Sequence, residues 1–269
     1  MKSVKPIQNL KVALAQLNIV WENSALNRDR AKNAISEAAR KKADLIVFPE
    51  MFLTGFSFNT VLYSDTNEIQ FFQKLAHENN IGIIIGLGIK KTSLESAENQ
   101  ALVISKTGKV LSQYCKIHPF SFVGEERVMK AGNKLPIFKI NGFTAATVIC
   151  YDLRFPALFE ALARKKIDLI FVIANWPEAR IEDWKTLLRA RALDTQSFVV
   201  GVNRIGVGNN LNYSGHSLVY DPCGEKIIEI TKEKIEIVEL DIRVIGETRK
   251  NFPSLKDKRF GVYQKFNPA

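Results

Sequence analysis

Apolar positions along this chain recur with two periods, and the switches between them predict alternating strands and helices. Leu10 to Asn18 reads as a strand, and Asn27 to Lys42 as an amphipathic helix with Ala31, Ala34, Ile35, Ala38 and Ala39 on one face. Asp44 to Phe48 is a short apolar run of the buried-strand type. A second helix, Asn67 to Glu78, precedes a strand from Ile81 to Ile89. Two hairpins follow, one turning at Lys106-Thr107-Gly108 and running into Lys116, the other turning at Asn141-Gly142 and running into Cys150. After Cys150 the pattern predicts a helix near Pro156 to Lys166, a strand from Asp168 to Ile173 and a helix from Ile181 to Gln196. A strand from Phe198 to Asn203 and a hairpin around Asp221-Pro222-Cys223-Gly224 complete the pattern.

One segment occurs twice. Ala39-Arg40-Lys41-Lys42-Ala43-Asp44-Leu45-Ile46-Val47 recurs as Ala163-Arg164-Lys165-Lys166-Ile167-Asp168-Leu169-Ile170-Phe171. Each copy is a helix end joined to a buried strand. The repeat predicts an α/β chain of two similar halves whose sheets pack face to face with helices outside.

Three strands end on groups with chemistry to offer. The run Thr147-Val148-Ile149 stops at Cys150, and Pro156 opens the next helix, so a thiol stands at a strand-to-helix bend. Backbone N–H groups at the start of a helix favour a thiolate and bind an oxyanion, which makes Cys150 the nucleophile candidate. The plain alternative is a small buried hydrophobe, as most free cysteines are. Phe48-Pro49-Glu50 ends a second strand on a carboxylate, and Tyr114-Cys115-Lys116 ends a third on a lysine among apolar neighbours. Attack on a carbonyl needs a proton acceptor and a positive charge beside the developing oxyanion, and these two residues supply them. Taken singly, Glu50 reads as a loop carboxylate and Lys116 as a snorkelling lysine.

The three segments, in this order, resemble the nitrilase-like carbon-nitrogen hydrolases, and the likeness runs from about Lys11 to about Asp241. It implies a four-layer αββα sandwich (the nitrilase-like fold) with two pseudo-symmetric halves, a Glu50-Lys116-Cys150 triad, and homo-oligomers built from dimers. Ala174-Asn175-Trp176-Pro177, then Arg180 and Trp184, then Leu187-Leu188-Arg189-Ala190-Arg191-Ala192 look most like the bacterial omega-amidase branch. The family also carries a supporting glutamate after the lysine. In Gly124-Glu125-Glu126-Arg127 the matching residue is Glu125, with Glu126 the next choice. His118 suggests a Cys-His pair instead, but the carboxylate, lysine and thiol already account for the chemistry, so it is not taken as catalytic.

The resemblance implies a mechanism. Glu50 takes the thiol proton as Cys150 attacks an amide, ammonia leaves, and water hydrolyses the thioester, with Lys116 and the Tyr151 backbone N–H holding the oxyanion. An omega-amidase acts on the side-chain amide of 2-oxo dicarboxylic acid monoamides such as 2-oxoglutaramate and 2-oxosuccinamate. It needs a cation for the distal carboxylate. Arg180 is the candidate, Arg154 is a substrate contact or a structural ion-pair partner, and Trp176, Phe52 and Phe56 are candidate pocket walls. An enzyme of the same chemistry for carbamoyl, nitrile or other amide substrates, and a catalytically silent scaffold, are the competing readings.

Composition narrows the remaining possibilities. With 269 residues and 46% hydrophobic content, and no low-complexity linker, the chain reads as one domain, 1–269, large enough for a substantial core. The formal charge of +10 is scattered in short groups at predicted helix ends, without a basic stripe interleaved with aromatics, so nucleic acid is not an expected partner. Gln16 and Asn18 interrupt the amino-terminal apolar run before it reaches signal-peptide length, and no stretch approaches a membrane span. Cys115, Cys150 and Cys223 form neither a disulfide set nor a metal-ligand spacing, which fits a reducing cytoplasm. No metal or organic cofactor is expected, and Gly206-Val207-Gly208 lacks a dinucleotide-binding context. The tail, 243–269, carries Phe252, Pro253, Phe260, Tyr263 and Phe266 and is expected to pack on the core or on a dimer partner.

Overall fold

The computed structural model describes residues 9–90 and 96–266. The first part of the chain forms β1 (Asn9–Gln16), α1 (Ser24–Arg40), β2 (Leu45–Val47), α2 (Thr66–Glu78), β3 (Gly82–Ile89), β4 (Glu98–Ile104) and β5 (Val110–Cys115). The second forms β6 (Ile137–Ile140), β7 (Phe143–Ile149), α3 (Pro156–Arg164), β8 (Leu169–Ala174), α4 (Ile181–Thr195) and β9 (Phe198–Asn203). A short ribbon of β10 (Ile205–Gly208) and β11 (Leu211–Ser214) comes next, then β12 (Ser217–Tyr220), β13 (Lys226–Ile230) and β14 (Lys234–Asp241). The tail is helical, with α5 (Arg243–Asn251), α6 (Ser254–Asp257) and α7 (Phe260–Phe266).

Two six-stranded sheets carry the fold, in the orders β14-β1-β2-β3-β4-β5 and β13-β12-β9-β8-β7-β6. In each, three successive strands run parallel through helical crossovers: β1-α1-β2-α2-β3 in one and β7-α3-β8-α4-β9 in the other. Antiparallel strands flank both trios. The halves are therefore related by the same wiring, as the repeat predicts. The likeness reaches individual hydrogen bonds. Asp44 accepts from the Lys11 N–H at 2.8 Å, and Asp168, its counterpart, accepts from the Thr144 N–H at 3.0 Å. Lys42 and Lys166 end their helices with φ of 60° and 55°.

Strand alternation separates the layers. In β8, Leu169, Phe171 and Ile173 face the opposite sheet, while Ile170, Val172 and Ala174 face α3 and α4. Burial on both faces explains why such strands read as continuous apolar runs. On the other side Ala31, Ala34, Ile35 and Ala38 of α1 pack on Ile46, Ile83 and Ile85. Ala39, expected on that face, is half-buried at its margin. The four-layer αββα arrangement follows.

Two features differ from the sequence reading. The β10–β11 ribbon was not anticipated; its loop is Asn209-Asn210, with φ of 48° and 59°, the paired left-handed conformation of a tight hairpin turn. The tail lies on the core through Ile245, which joins the core between the sheets, and through polar links rather than through most of its aromatic residues. Arg249 pairs with Asp168 at 3.0 Å, Lys258 with Glu160 at 2.7 Å, and Gln196 Nε2 donates to the Phe252 carbonyl at 2.5 Å. Phe260 packs beneath Arg164, whereas Phe252 and Phe266 are exposed. Residues 1–8 and 267–269, which belong to the leader and tail readings, lie outside the described residues. Among those described, no helix is long and apolar enough to cross a membrane.

Candidate active site

The ends of β2, β5 and β7 converge where the sheets meet. Beyond β2, Phe48 and Pro49 carry the chain to Glu50, which is fully buried. The turn lies so close to β3 that a Cβ at Gly86 would stand 2.5 Å from the Glu50 Cα. Met51 follows with φ of 43°, a strained value for a residue with a side chain. The Gly86→Ala protein should therefore lose roughly 1–3 kcal/mol of stability, the usual scale for overpacking. It should also show a lower kcat, because Glu50 must move; melting curves and turnover measured together test this.

Lys116 leaves β5 with its N–H donating to the Asn99 carbonyl at 2.9 Å, and its own carbonyl accepts from the Gly132 N–H at 2.8 Å. Its Nζ, buried, lies 3.0 Å from Glu50 Oε1 and 2.9 Å from Glu125 Oε2. Asn99 Nδ2 bridges the same two carboxylates at 2.8 and 2.9 Å. The second oxygen of Glu50 accepts the Asn175 N–H at 2.9 Å, and the Asn175 side-chain amide donates to the Glu50 carbonyl at 2.6 Å. Glu125 also accepts the Phe120 N–H at 2.6 Å. Glu50 and Glu125 are thus satisfied anions around one ammonium. Burial alone would lower the Lys116 pKa, but Glu50 and Glu125 outweigh it and raise the value, so the lysine is charged at neutral pH. Glu126 is exposed beside Arg127, whereas Glu125 is the carboxylate in contact with Lys116.

Cys150 ends β7 with φ of 45°. The thiol does not meet the first turn of the helix directly, because a 3₁₀ turn, Cys150–Arg154, intervenes before Pro156 opens α3. Buried Asp152 pins that turn. It accepts the Ile149 N–H at 3.1 Å, the Tyr114 hydroxyl at 2.7 Å and the His118 N–H at 3.1 Å, and His118 Nδ1 lies 2.7 Å from it. His118 stacks on Phe155 at 3.7 Å and belongs to this support.

The expected thiolate is also corrected. Burial, then the negative charge of Glu50, push the Cys150 pKa well above its ordinary value of 9.0, and a hydrogen bond to Glu50 adds to this; Lys116 opposes them. The resting thiol is neutral. The ultraviolet absorbance of a thiolate, taken as wild type minus Cys150→Ser, should accordingly be missing at pH 7 and emerge only above pH 9. A full signal at pH 7 would contradict the arrangement.

Cys150 and Lys116 open into a cleft with about 510 Å³ of empty volume. Its wall includes Phe56, Tyr151, Arg154, Trp176, Arg180 and Tyr213. Phe52 is not there; it packs on Phe48 in the core, 4.8 Å between ring centres. Arg154 is held by Asp183 at 2.6 Å and lies over the Trp176 ring. Arg180 stands over Phe120 at 5.6 Å, and among the described residues no carboxylate pairs with it. Trp176 is buried, and its indole N–H donates to the Arg180 carbonyl at 2.7 Å. Sequence reasoning missed the roles of Asn99, Asn175 and Asp152. Asn99 had a readable signal, because it shares the inward phase of Ala101 and Val103 on β4. No group of residues suited to a metal ion occurs among those described.

A strained strand-end thiol and a buried ammonium facing one cleft, with a buried carboxylate against that ammonium, define a hydrolase site of the cysteine type. The chain belongs to the carbon-nitrogen hydrolase family, whose model matches residues 11–250. It is 30% identical to the 2-oxoglutaramate amidase of Bacillus subtilis (strain 168), over 94% of this chain and 98% of that protein. It is 33% identical to the omega-amidase YafV of Yersinia enterocolitica, over 93% and 97%. Among solved structures it resembles a CN-hydrolase superfamily protein of Xanthomonas campestris, with a TM-score of 0.85 and 30% identity, covering 93% of this chain and 97% of that one.

Proposed function

We propose that this cysteine amidohydrolase is an omega-amidase, hydrolysing the side-chain amide of 2-oxo dicarboxylic acid monoamides such as 2-oxoglutaramate and 2-oxosuccinamate. The observation that carries the reading is Arg180, a guanidinium in the same cleft as Cys150 that has no carboxylate partner among the described residues. An uncompensated cation beside a nucleophile suits a substrate with a free carboxylate at its far end. The names of the Bacillus and Yersinia relatives support the same substrate class.

In this mechanism Cys150 Sγ attacks the amide carbon as its proton passes to Glu50. The carbonyl oxygen becomes an oxyanion between Lys116 and the Tyr151 N–H. Glu50 returns the proton to nitrogen, the C–N bond breaks, and ammonia leaves an acyl thioester on Cys150. Water then gives a proton to Glu50 and its oxygen to the acyl carbon; collapse releases the carboxylate and restores the thiol. Glu125 keeps Lys116 aimed by its 2.9 Å contact, and Asn99 and Asn175 fix the Glu50 carboxylate. A base held by three donors and a resting neutral thiol suit proton transfer at the moment of attack rather than beforehand. We also place the enzyme in the cytoplasm, since Cys115, Cys150 and Cys223 are all free thiols.

Ammonia release from 2-oxoglutaramate, 2-oxosuccinamate, glutamine, an N-carbamoyl amino acid and a simple nitrile tests the assignment. Turnover should be confined to the 2-oxo acid amides, and Arg180→Met should raise KM for 2-oxoglutaramate about 10- to 100-fold, the scale of one charge-assisted contact. Preference for the carbamoyl compound or the nitrile would discard the substrate and keep the chemistry.

A further inference from the structure

The β10–β11 ribbon reaches over the cleft and brings Tyr213 to its wall. Tyr213 is 4% exposed, and its hydroxyl makes no hydrogen bond to any described residue. Burial is the main cause that pushes this phenol up to about 12; Cys150 and Glu50 add to the shift, and Arg180 works against it. Tyr213 shares the wall of one cleft with Cys150 and Arg180, and at neutral pH its hydroxyl is a protonated donor.

Beneath the ring is a second anomaly. Arg204 is wholly buried, with its guanidinium 4.4 Å from the centre of the Tyr213 ring. Nη2 donates to the Ile19 carbonyl at 2.6 Å and the Val207 carbonyl at 3.0 Å, but Nε and Nη1 have no acceptor, and no carboxylate pairs with the group among the described residues. The space is shaped for it, since a Cβ at Gly208 would stand 2.6 Å from Nη1. A buried cation without an anion is costly, and the face of Tyr213 compensates it together with the two carbonyl oxygens.

We propose that Tyr213 is a substrate-positioning residue, donating its hydroxyl hydrogen bond to the carboxylate end of the substrate beside Arg180, and that Arg204 is the positioning residue that seats its ring. This rests on the reading above that the substrate carries a distal carboxylate. Tyr213 and Arg180 approach that end from different elements, the ribbon and the start of α4, so together they fix its direction as well as its charge. A neutral amide of similar length lacks the group they grip and gains less from them.

The test compares wild type, Tyr213→Phe, Arg204→Met and Arg204→Lys, each checked by melting curve. Binding of 2-oxoglutarate is measured by calorimetry, and kcat and KM are measured for 2-oxoglutaramate and butyramide. Tyr213→Phe keeps the ring and should fold. It should weaken 2-oxoglutarate binding about tenfold, raise KM for 2-oxoglutaramate by a similar factor with a much smaller change in kcat, and lower the kcat/KM preference for 2-oxoglutaramate over butyramide about tenfold. Arg204→Met should reproduce the KM effect, Arg204→Lys should restore part of it, and combining Arg204→Met with Tyr213→Phe should add little. Unchanged binding and an unchanged preference ratio in Tyr213→Phe would overturn the inference, as would a wild type that does not bind 2-oxoglutarate. A wild type that binds 2-oxoglutarate through Tyr213 without hydrolysing 2-oxoglutaramate would remove the omega-amidase reading alone.

Discussion

The Cys150→Ala protein should lose amide turnover by about 10⁴-fold or more, the scale seen when a covalent nucleophile is deleted, while its fold persists. Glu50, Lys116 and Glu125 hold one another through contacts of 2.9–3.0 Å that do not involve the sulfur, so the charged cluster survives the change. The backbone strain at φ of 45° is borne by alanine as by cysteine. The melting temperature should therefore stay within a few degrees of wild type. Melting curves beside ammonia release check both parts, and a large loss of stability would mean that the thiol holds the site together rather than reacting in it.

Lys116→Met should act on both activity and stability. Loss of one oxyanion donor costs about 10²–10³ in kcat. The same change leaves Glu50 and Glu125, both buried and joined through Asn99, without their shared cation. Breaking a buried ion pair on one side costs roughly 3–5 kcal/mol. One of the two carboxylates should then take up a proton in the folded state, so its pKa rises above the unfolded value. With that sign the variant holds more protons folded than unfolded over the intervening range, and it loses stability as pH rises through it. The melting temperature of Lys116→Met should thus fall further below wild type at pH 8 than at pH 5.5. Equal deficits at both pH values would show that the carboxylates do not depend on the lysine charge.

Much of this arrangement is legible in the sequence because strand ends announce themselves. Phe48-Pro49-Glu50, Tyr114-Cys115-Lys116 and Ile149-Cys150 each change abruptly from apolar to reactive, and all three groups meet at the cleft or directly behind it. The repeat ending at Val47 and Phe171 foretells the paired sheets, since its two copies occupy matching places beside β1 and β7. What stays hidden depends on contacts between the halves. Asn175 stands in a recognisable segment, yet its bond to Glu50 joins residues 125 apart in the chain. The neutral state of Cys150 follows from burial beside Glu50, which a local pattern does not convey. The β10–β11 ribbon leaves little apolar alternation to read, because Gly206 and Gly208 stand where side chains would otherwise mark a strand, making room for Asn18 and Arg204.

The most direct test is acid-quenched mass spectrometry of wild type during turnover of 2-oxoglutaramate. The peptide containing Cys150 should carry the substrate mass less ammonia, as a thioester that disappears when substrate is exhausted. An acyl group on Cys115 or Cys223 instead, or an unmodified Cys150 together with normal turnover by Cys150→Ala, would contradict the assignment of Cys150 as the residue that carries the acyl group.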